Sequence, residues 1–226
     1  MKTKKRDLLN RYIPLWSIAP LVTIVAVNCL IYWGSSALTA GRYHYDFTMA
    51  FDREVPLLPV FVWFYILAFP FWAVGYLLAA RRGKDMFYRF VATDLTIHFI
   101  CFVCFILIPT TNIRPEIAGN TISEKLLALV YSLDGGRSPS NLFPSIHCYV
   151  SWMCWKGVEG SEKVPKWYQR FSLVFAILII ISTQVLKQHY IVDAAAALLL
   201  VEFFWRFYQK GQRHKWVVHI FAHRKK

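Results

Sequence analysis

The sequence predicts an all-α, polytopic membrane protein with six transmembrane helices and both termini on the cytoplasmic side. Three observations carry this. Of the 226 residues, 57% are apolar and 17% aromatic, and the mean hydropathy is positive, beyond the balance of a soluble globular domain. The apolar residues fall in separate runs approaching the roughly 20 residues that cross a bilayer core as a helix, and none alternates strictly as a lipid-facing barrel strand does. The Lys and Arg residues behind the formal net charge of +13 cluster in short segments between those runs. Such clusters favour the cytoplasmic side and can engage anionic headgroups, so the charge reads as topology and nucleic acid is not an expected partner.

Taken in order, the basic segment Met1 to Arg11 precedes the apolar run Pro14–Leu38. That run exceeds the roughly 7 to 15 residues of a signal-peptide core and is followed by further apolar segments, so it reads as a retained first span. Ala40 to Pro56 carries Tyr43, Tyr45, Phe47 and Phe51 among charges and suits an interfacial cap over an external pocket. Leu57–Ala80 and Phe90–Pro109 are the second and third spans, joined by basic Arg81 to Arg89. The longest connection, Thr110 to Phe143, is external and ends in the turn-rich Asp134-Gly-Gly-Arg-Ser-Pro-Ser-Asn141. Pro144–Val158 is the shortest span, of a length that also suits a buried helix. Tyr168–Val185 and Tyr190–Phe207 complete the six, before a basic tail at 209–226.

Charge parity bears on the short fourth span. Counted as a crossing, it places five basic residues of Met1 to Arg11, four of Arg81 to Arg89, four of Lys156 to Arg170 and seven of Arg206 to Lys226 inside, 20 of the 26. Outside remain Arg42, Arg53, Arg114, Lys125, Arg137 and Lys187. Omitting it would carry the seven-charge tail outside, against the positive-inside rule. The whole chain, 1–226, reads as one membrane domain with a motif-bearing core at about 90–207. Its five cysteines lie within apolar runs and show no disulfide framework; Cys101-x-x-Cys104 has zinc-like spacing without a second pair.

Polar chemistry gathers at the external span ends. Asn141-Leu-Phe-Pro-Ser-Ile-His147 reads as a helix start, with Pro suited to the first turn and Asn or Ser to the cap. A helix N-terminus offers free N–H groups and a positive dipole end to a phosphoryl group, and His147 in the first turn can exchange a proton with a bound ester. A capped helix with a surface histidine fits the same residues. In Gln188-His-Tyr-Ile-Val-Asp193, His189 and Asp193 are four apart and share a helix face. A carboxylate accepting from one ring nitrogen leaves the other nucleophilic and stabilises the charge formed on attack; the spacing also suits metal ligation or an ordinary ion pair. Ile113-Arg-Pro115 closes the third span, and Arg114 offers planar paired donors for phosphate, or an interfacial side chain reaching headgroups. Two histidines, a carboxylate and an arginine at span ends are what folding would have to bring together.

In these motifs the chain resembles the type-2 phosphatidic acid phosphatase superfamily of integral lipid phosphatases, related in site to vanadium haloperoxidases. The resemblance covers roughly 90–207. The family pattern is a Lys separated by six residues from Arg-Pro, then Pro-Ser-x-His, then Ser-Arg with a downstream His and Asp. Arg114-Pro115, Pro144-Ser-Ile-His147, and Ser182 with His189 and Asp193 match it in order and spacing. The resemblance implies that His189 attacks phosphorus, Asp193 orients it, His147 protonates the leaving oxygen, and Arg114 with Ser145 holds phosphate. It implies no metal and no cofactor, a lipid substrate in the bilayer, and a phosphohistidine hydrolysed by water or passed to an alcohol. The family's first-motif Lys falls on Leu107 and its third-motif Arg on Thr183. Lys187, four residues after Thr183 and so on the same helix face, and Arg137 are candidates to replace those charges. Gln188 to Asp193, followed by an Ala-rich helix and Phe-Phe-Trp-Arg, is similar also to the branch containing sphingomyelin and inositol-phosphorylceramide synthases, which transfers headgroups.

The reading is therefore an integral lipid phosphatase acting on a lipid monoester or diphosphate, with headgroup phosphotransfer as the alternative. A lipid transporter using the same cationic pocket, and a metal site on His147, His189 and Asp193, are the readings from other classes. Asp94 and His98 are four apart in the third span; Asp94 lies about 30 Å from Arg114 along a helix, and the pair, with Glu202 and Arg206, reads as polar clusters near the inner face. His44, His214, His219 and His223 lack a carboxylate at useful spacing and read as solvent-exposed.

Overall fold

A computed structural model describes residues 13–136 and 138–222. The N-terminal basic segment, Arg137, His223 and the last basic residues lie outside the described residues. The described chain forms α1 (Ile18–Thr39), α2 (Ala50–Glu54), α3 (Val62–Ala80), α4 (Lys84–Leu107), α5 (Ile122–Leu133), α6 (Ile146–Val158), α7 (Lys166–Val185), α8 (Ile191–Gln209) and α9 (Lys215–Ala222). Short 3-10 turns at Leu15–Ser17 and Pro59–Phe61 lead into α1 and α3. One small departure from all-α is a parallel pair of two-residue strands, β1 (Tyr45–Asp46) and β2 (Thr110–Thr111), with Tyr45 opposite Thr110.

Among the described residues, four helical segments are long and apolar enough to cross a membrane: Leu15–Thr39, Pro59–Ala80, Lys84–Leu107 and Lys166–Val185. Their outward residues are apolar, as Val22, Val25 and Leu30 on α1 and Val174 and Ile177 on α7 show, which is the polarity a bilayer asks for. The other two expected spans differ in kind. Helix α6 has 13 residues, about 20 Å at 1.5 Å each. It is a core helix, packed against α3, α7, α8 and α4, with Tyr149, Met153 and Cys154 fully buried. Helix α8 has 19 residues but carries Asp193, Glu202 and Arg206.

Two glycines let the core helices close up. A Cβ on Gly75 of α3 would lie 2.6 Å from Cys154 Sγ, and one on Gly157 of α6 would lie 2.9 Å from Ala79 Cβ. Only a hydrogen in place of the side chain permits that approach.

Two separate polar clusters lie within the helices. Tyr76 Oη donates to Asp94 Oδ1 at 2.5 Å, Asp94 Oδ2 is 3.0 Å from His98 Nδ1, and Tyr149 Oη is 2.6 Å from His98 Nε2. Glu202 accepts from Trp152 Nε1 at 2.9 Å and pairs with Lys156 at 2.9 Å and Arg206 at 3.5 Å. His214 is buried and 2.8 Å from Asp85, so it is not the exposed surface residue that sequence spacing suggests; its carboxylate is distant in sequence.

The connection expected as an external loop contains α5. Its start is a capping box, with Glu124 N donating to Thr121 Oγ1 and Thr121 N donating to the Glu124 carboxylate. Thr121-x-x-Glu124 ahead of Leu126-Leu-Ala-Leu-Val130 is the sequence signature of such a start.

Candidate active site

One end of the bundle gathers the end of α7 and the beginnings of α6 and α8. Helix α7 stops at Val185 because the chain turns at Lys187, where φ is +54°, and the N–H groups of Gln188 and His189 both donate to Thr183 O, at 2.9 and 3.1 Å. That turn sets His189 one residue before the cap of α8. Asp193, in the first turn of α8, accepts from Tyr190 N at 2.9 Å and so caps the helix it begins. Ser145 N donates to Asp193 O at 3.3 Å, which ties the start of α6 to the same turn.

His189 is nearly buried, and its Nδ1 lies 3.1 Å from Leu142 O and 3.4 Å from Asp193 Oδ2. His189 and Asp193 do pair, but not across a shared helix face, because His189 precedes the cap of α8 and the turn before the helix brings it to Asp193. The Leu142 carbonyl is the nearer acceptor, and the two together favour a proton on Nδ1, leaving Nε2 with its lone pair. The second oxygen of Asp193 is buried with no hydrogen-bond partner.

His147 is the second residue of α6. Tyr65 stacks flat on its ring with centroids 4.4 Å apart, and Trp72 and Phe69 present edges at 5.0 and 6.0 Å. Its ring centroid is 6.0 Å from that of His189, and its Nε2 is buried without a partner. Ser145 is fully buried, and its Oγ accepts from Cys148 N at 3.2 Å; of the two caps the sequence offered, Ser145 is the one used, and Pro144 stands before the cap and not in the first turn.

Arg114 is fully buried. One terminal nitrogen donates to Asp134 O at 2.7 Å and Gly136 O at 3.0 Å, and the other to the Asp134 carboxylate and Gln188 Oε1. Its guanidinium lies 4.7 Å over the ring of Tyr131, and its Nε is buried and unpartnered. The sequence placed Arg114 here but not Asp134, whose carboxylate also accepts from the Tyr32 hydroxyl of α1. Neither contact follows a helical spacing, and only the tertiary fold creates them.

The two absent family charges leave neutral side chains. Leu107 is exposed on α4, and Thr183 is buried with its Oγ1 3.6 Å from Cys148 Sγ. Lys187 is not one turn along the face of Thr183, because α7 has ended; its Nζ donates to Asp52 O and Val55 O at 2.6 and 2.5 Å. Burial holds the Lys187 ammonium below the usual lysine range, with Asp52 partly opposing the shift. The segment expected as a cap does cover this end: Asp52 Oδ1 accepts from Ile191 N at 2.9 Å, and Tyr190 Oη donates to Asp46 at 2.6 Å.

Two cavities flank the histidines. An open one of about 360 Å³ is lined by Asp52, Arg53, Asn112, Arg114, Lys187 and His189. An apolar one of about 330 Å³, between α1, α3 and α5, is lined by Trp33, Ile66, Phe69, Leu133, Asp134 and His147. A gap of about 20 Å³ is bordered by both histidines, Asp134, Tyr32 and Tyr65. Among the described residues no group of three His, Cys, Asp or Glu side chains is arranged to hold a metal ion.

Helices long and apolar enough to cross a membrane define an integral membrane protein, and at one end of them two histidines face each other, one backed by a carboxylate. Residues 42–206 match the PAP2 superfamily, and the chain belongs to it. Members are typically phosphatases, so phosphatase- or phosphotransferase-like chemistry is the general activity. The match extends further toward the N-terminus than the motif-bearing stretch and takes in β1 and α2. No curated protein and no solved structure matches the chain.

Proposed function

We propose that the protein is an integral membrane lipid phosphatase that cleaves a phosphate ester or diphosphate of a lipid through a phosphohistidine on His189. The observation that carries this reading is the 6.0 Å separation of the His147 and His189 rings, with an unpartnered buried Nε2 on His147. A phosphoryl group held against both rings would have a nucleophile on one side and an acid on the other, the arrangement such steps need.

With Nδ1–H directed at Leu142 O and Asp193, His189 attacks through Nε2. The Nε2–P bond forms as the bond from phosphorus to the lipid oxygen breaks, and His147, which burial keeps neutral until the anionic substrate beside it favours its protonated form, gives its proton to that oxygen. Water then attacks the phosphohistidine, His147 takes its proton, and phosphate leaves. Arg114, Ser145, Lys187 and Arg137 are the phosphate-holding set of this reading, and no metal or cofactor takes part. Six crossings with cytoplasmic termini would put the site on the extracytoplasmic face of the plasma or inner membrane, with the bilayer delivering the substrate.

Headgroup phosphotransfer is the second reading. The apolar cavity that ends on His147 gives a lipid alcohol a place beside the phosphoenzyme, where it could receive the group in place of water. Purified protein incubated with phosphatidate, phosphatidylglycerophosphate, prenyl diphosphates, and ceramide with a phospholipid donor tests both. Free phosphate supports the phosphatase and a new lipid the transferase. Headgroup-dependent lipid movement with neither product would make the protein a transporter and overturn both.

A further inference from the structure

We infer that the far end of α8 carries a binding site for one anionic phospholipid of the leaflet opposite the one that meets the histidines, a site separate from theirs and owing nothing to their chemistry.

A cavity of about 400 Å³ runs along the outward face of α8 and into the turn that follows it. Its apolar half is Leu199, Phe203 and Phe207, which recur every four residues and so stand in one row on the helix. All three are exposed, and the two phenyl rings are stacked with centroids 6.3 Å apart. Its charged half is Arg206, Lys210 and Arg213. Arg213 folds back over the row: its guanidinium lies 4.1 Å over the ring of Phe207 and donates to Phe207 O at 3.3 Å. A helix C-terminus on its own repels an anion, and the cation bonded to that carbonyl reverses the sign of this end.

Glu202 also lines the cavity, but it is matched from elsewhere. Lys156 of α6 lies 2.9 Å from one of its oxygens, and Arg206, 3.5 Å from the other, keeps 77% of its side chain exposed. The three cations of the lining are therefore left for a ligand. Basic residues spread over a membrane surface attract anionic lipids without holding any one of them. Here the cations surround a single cavity whose floor accepts a chain, and a phospholipid supplies both halves of the match. A zwitterionic headgroup would bring an ammonium to the same three charges, so the site prefers an anionic one.

Position separates this cavity from the histidines. Helix α8 starts beside His189, and its 19 residues span about 28 Å, close to the roughly 30 Å of a bilayer core. A lipid held here has its phosphate among Lys210, Arg213 and Arg206 and one acyl chain running back along the Leu199 row.

The test is native mass spectrometry of the full-length protein in detergent, titrated with dioleoylphosphatidylglycerol or dioleoylphosphatidylcholine. Wild type should retain one phosphatidylglycerol more than the Lys210→Gln/Arg213→Gln double variant, and should hold it at least about tenfold more tightly than phosphatidylcholine. Each single variant should weaken that lipid about fivefold, the worth of one cation at a membrane surface. Arg81→Gln, the same change of charge at an exposed residue just after α3, should bind as wild type does. All three replaced side chains are exposed, so the fold is kept. Equal lipid counts in wild type and the double variant, no preference for phosphatidylglycerol, or an equal loss in Arg81→Gln would overturn the site. Glycerol phosphate, which has the charge without the chains, should not displace the lipid; displacement at a comparable concentration would make this a soluble-anion site and overturn the lipid assignment.

Discussion

The imidazole of His147 faces that of His189 across 6.0 Å, each held by a different means. His189 is oriented by hydrogen-bond acceptors at its Nδ1, and His147 by the flat stack on Tyr65 and the edge of Trp72. Of the two rings, His147 keeps a buried nitrogen with nothing to bond, so a ligand atom that reached it would satisfy a group now left unpaired.

Replacing that unpaired group separates acid from nucleophile. His147→Ala should lower kcat on the order of 10² to 10⁴, the usual contribution of a general acid, with phosphoenzyme still detectable from substrates with a good leaving group. Single-turnover measurements with an aryl phosphate and a lipid phosphate check this. Equal losses on both would show that His147 does not protonate the leaving oxygen.

The stack itself is a positioning device. Tyr65→Ala should reduce kcat roughly tenfold or more through a loose His147 ring, while Tyr65→Phe, which keeps the stack, should restore most of it. Steady-state kcat and KM for the pair decide between positioning and substrate contact.

Asp193 serves two ends, capping α8 and backing His189. Asp193→Ala should lose both the orientation of His189 and the cap, the latter costing about 1 kcal/mol. Asp193→Asn keeps a capping oxygen, so its Tm should stay near wild type while its kcat still falls by orders of magnitude. Melting curves and turnover of the two variants separate the roles.

Much of this was legible in the sequence. Arg114, His147, His189 and Asp193 do converge at one end, because helix ends and the short chain separation of His189 from Asp193 are local properties that survive folding. Asp134, Tyr32 and the Leu142 carbonyl were not legible, since each reaches the site from a distant segment without periodicity. Lys187 was misplaced for a local reason: its left-handed turn ends α7 two residues earlier, and the side chain leaves the helix face that the spacing assumed. Helix α5 was readable in principle from Thr121 and Glu124 but was overshadowed by the turn-rich stretch after it.

The turned-out lysine gives a pH dependence. Burial lowers the pKa of Lys187, so its ammonium deprotonates at lower pH than a free lysine. If it helps draw an anionic headgroup to the open cavity, KM should be constant at low pH and rise as pH climbs through that lowered value. Lys187→Arg, which stays charged, should abolish the rise, and pH profiles of KM for both proteins show whether it does.

Core packing can be tested away from the site. Gly75→Ala forces a methyl into Cys154 and should destabilise the fold by about 1 to 3 kcal/mol, read as a lower Tm, with kcat near wild type well below the melting range.

The most direct test of the account is to trap the phosphoenzyme. Wild-type protein quenched during turnover of a labelled lipid phosphate should carry one acid-labile, alkali-stable phosphoryl group, mapped by mass spectrometry to His189, and His189→Ala should carry none and release no product. Label on another residue, or undiminished turnover in His189→Ala, would contradict it.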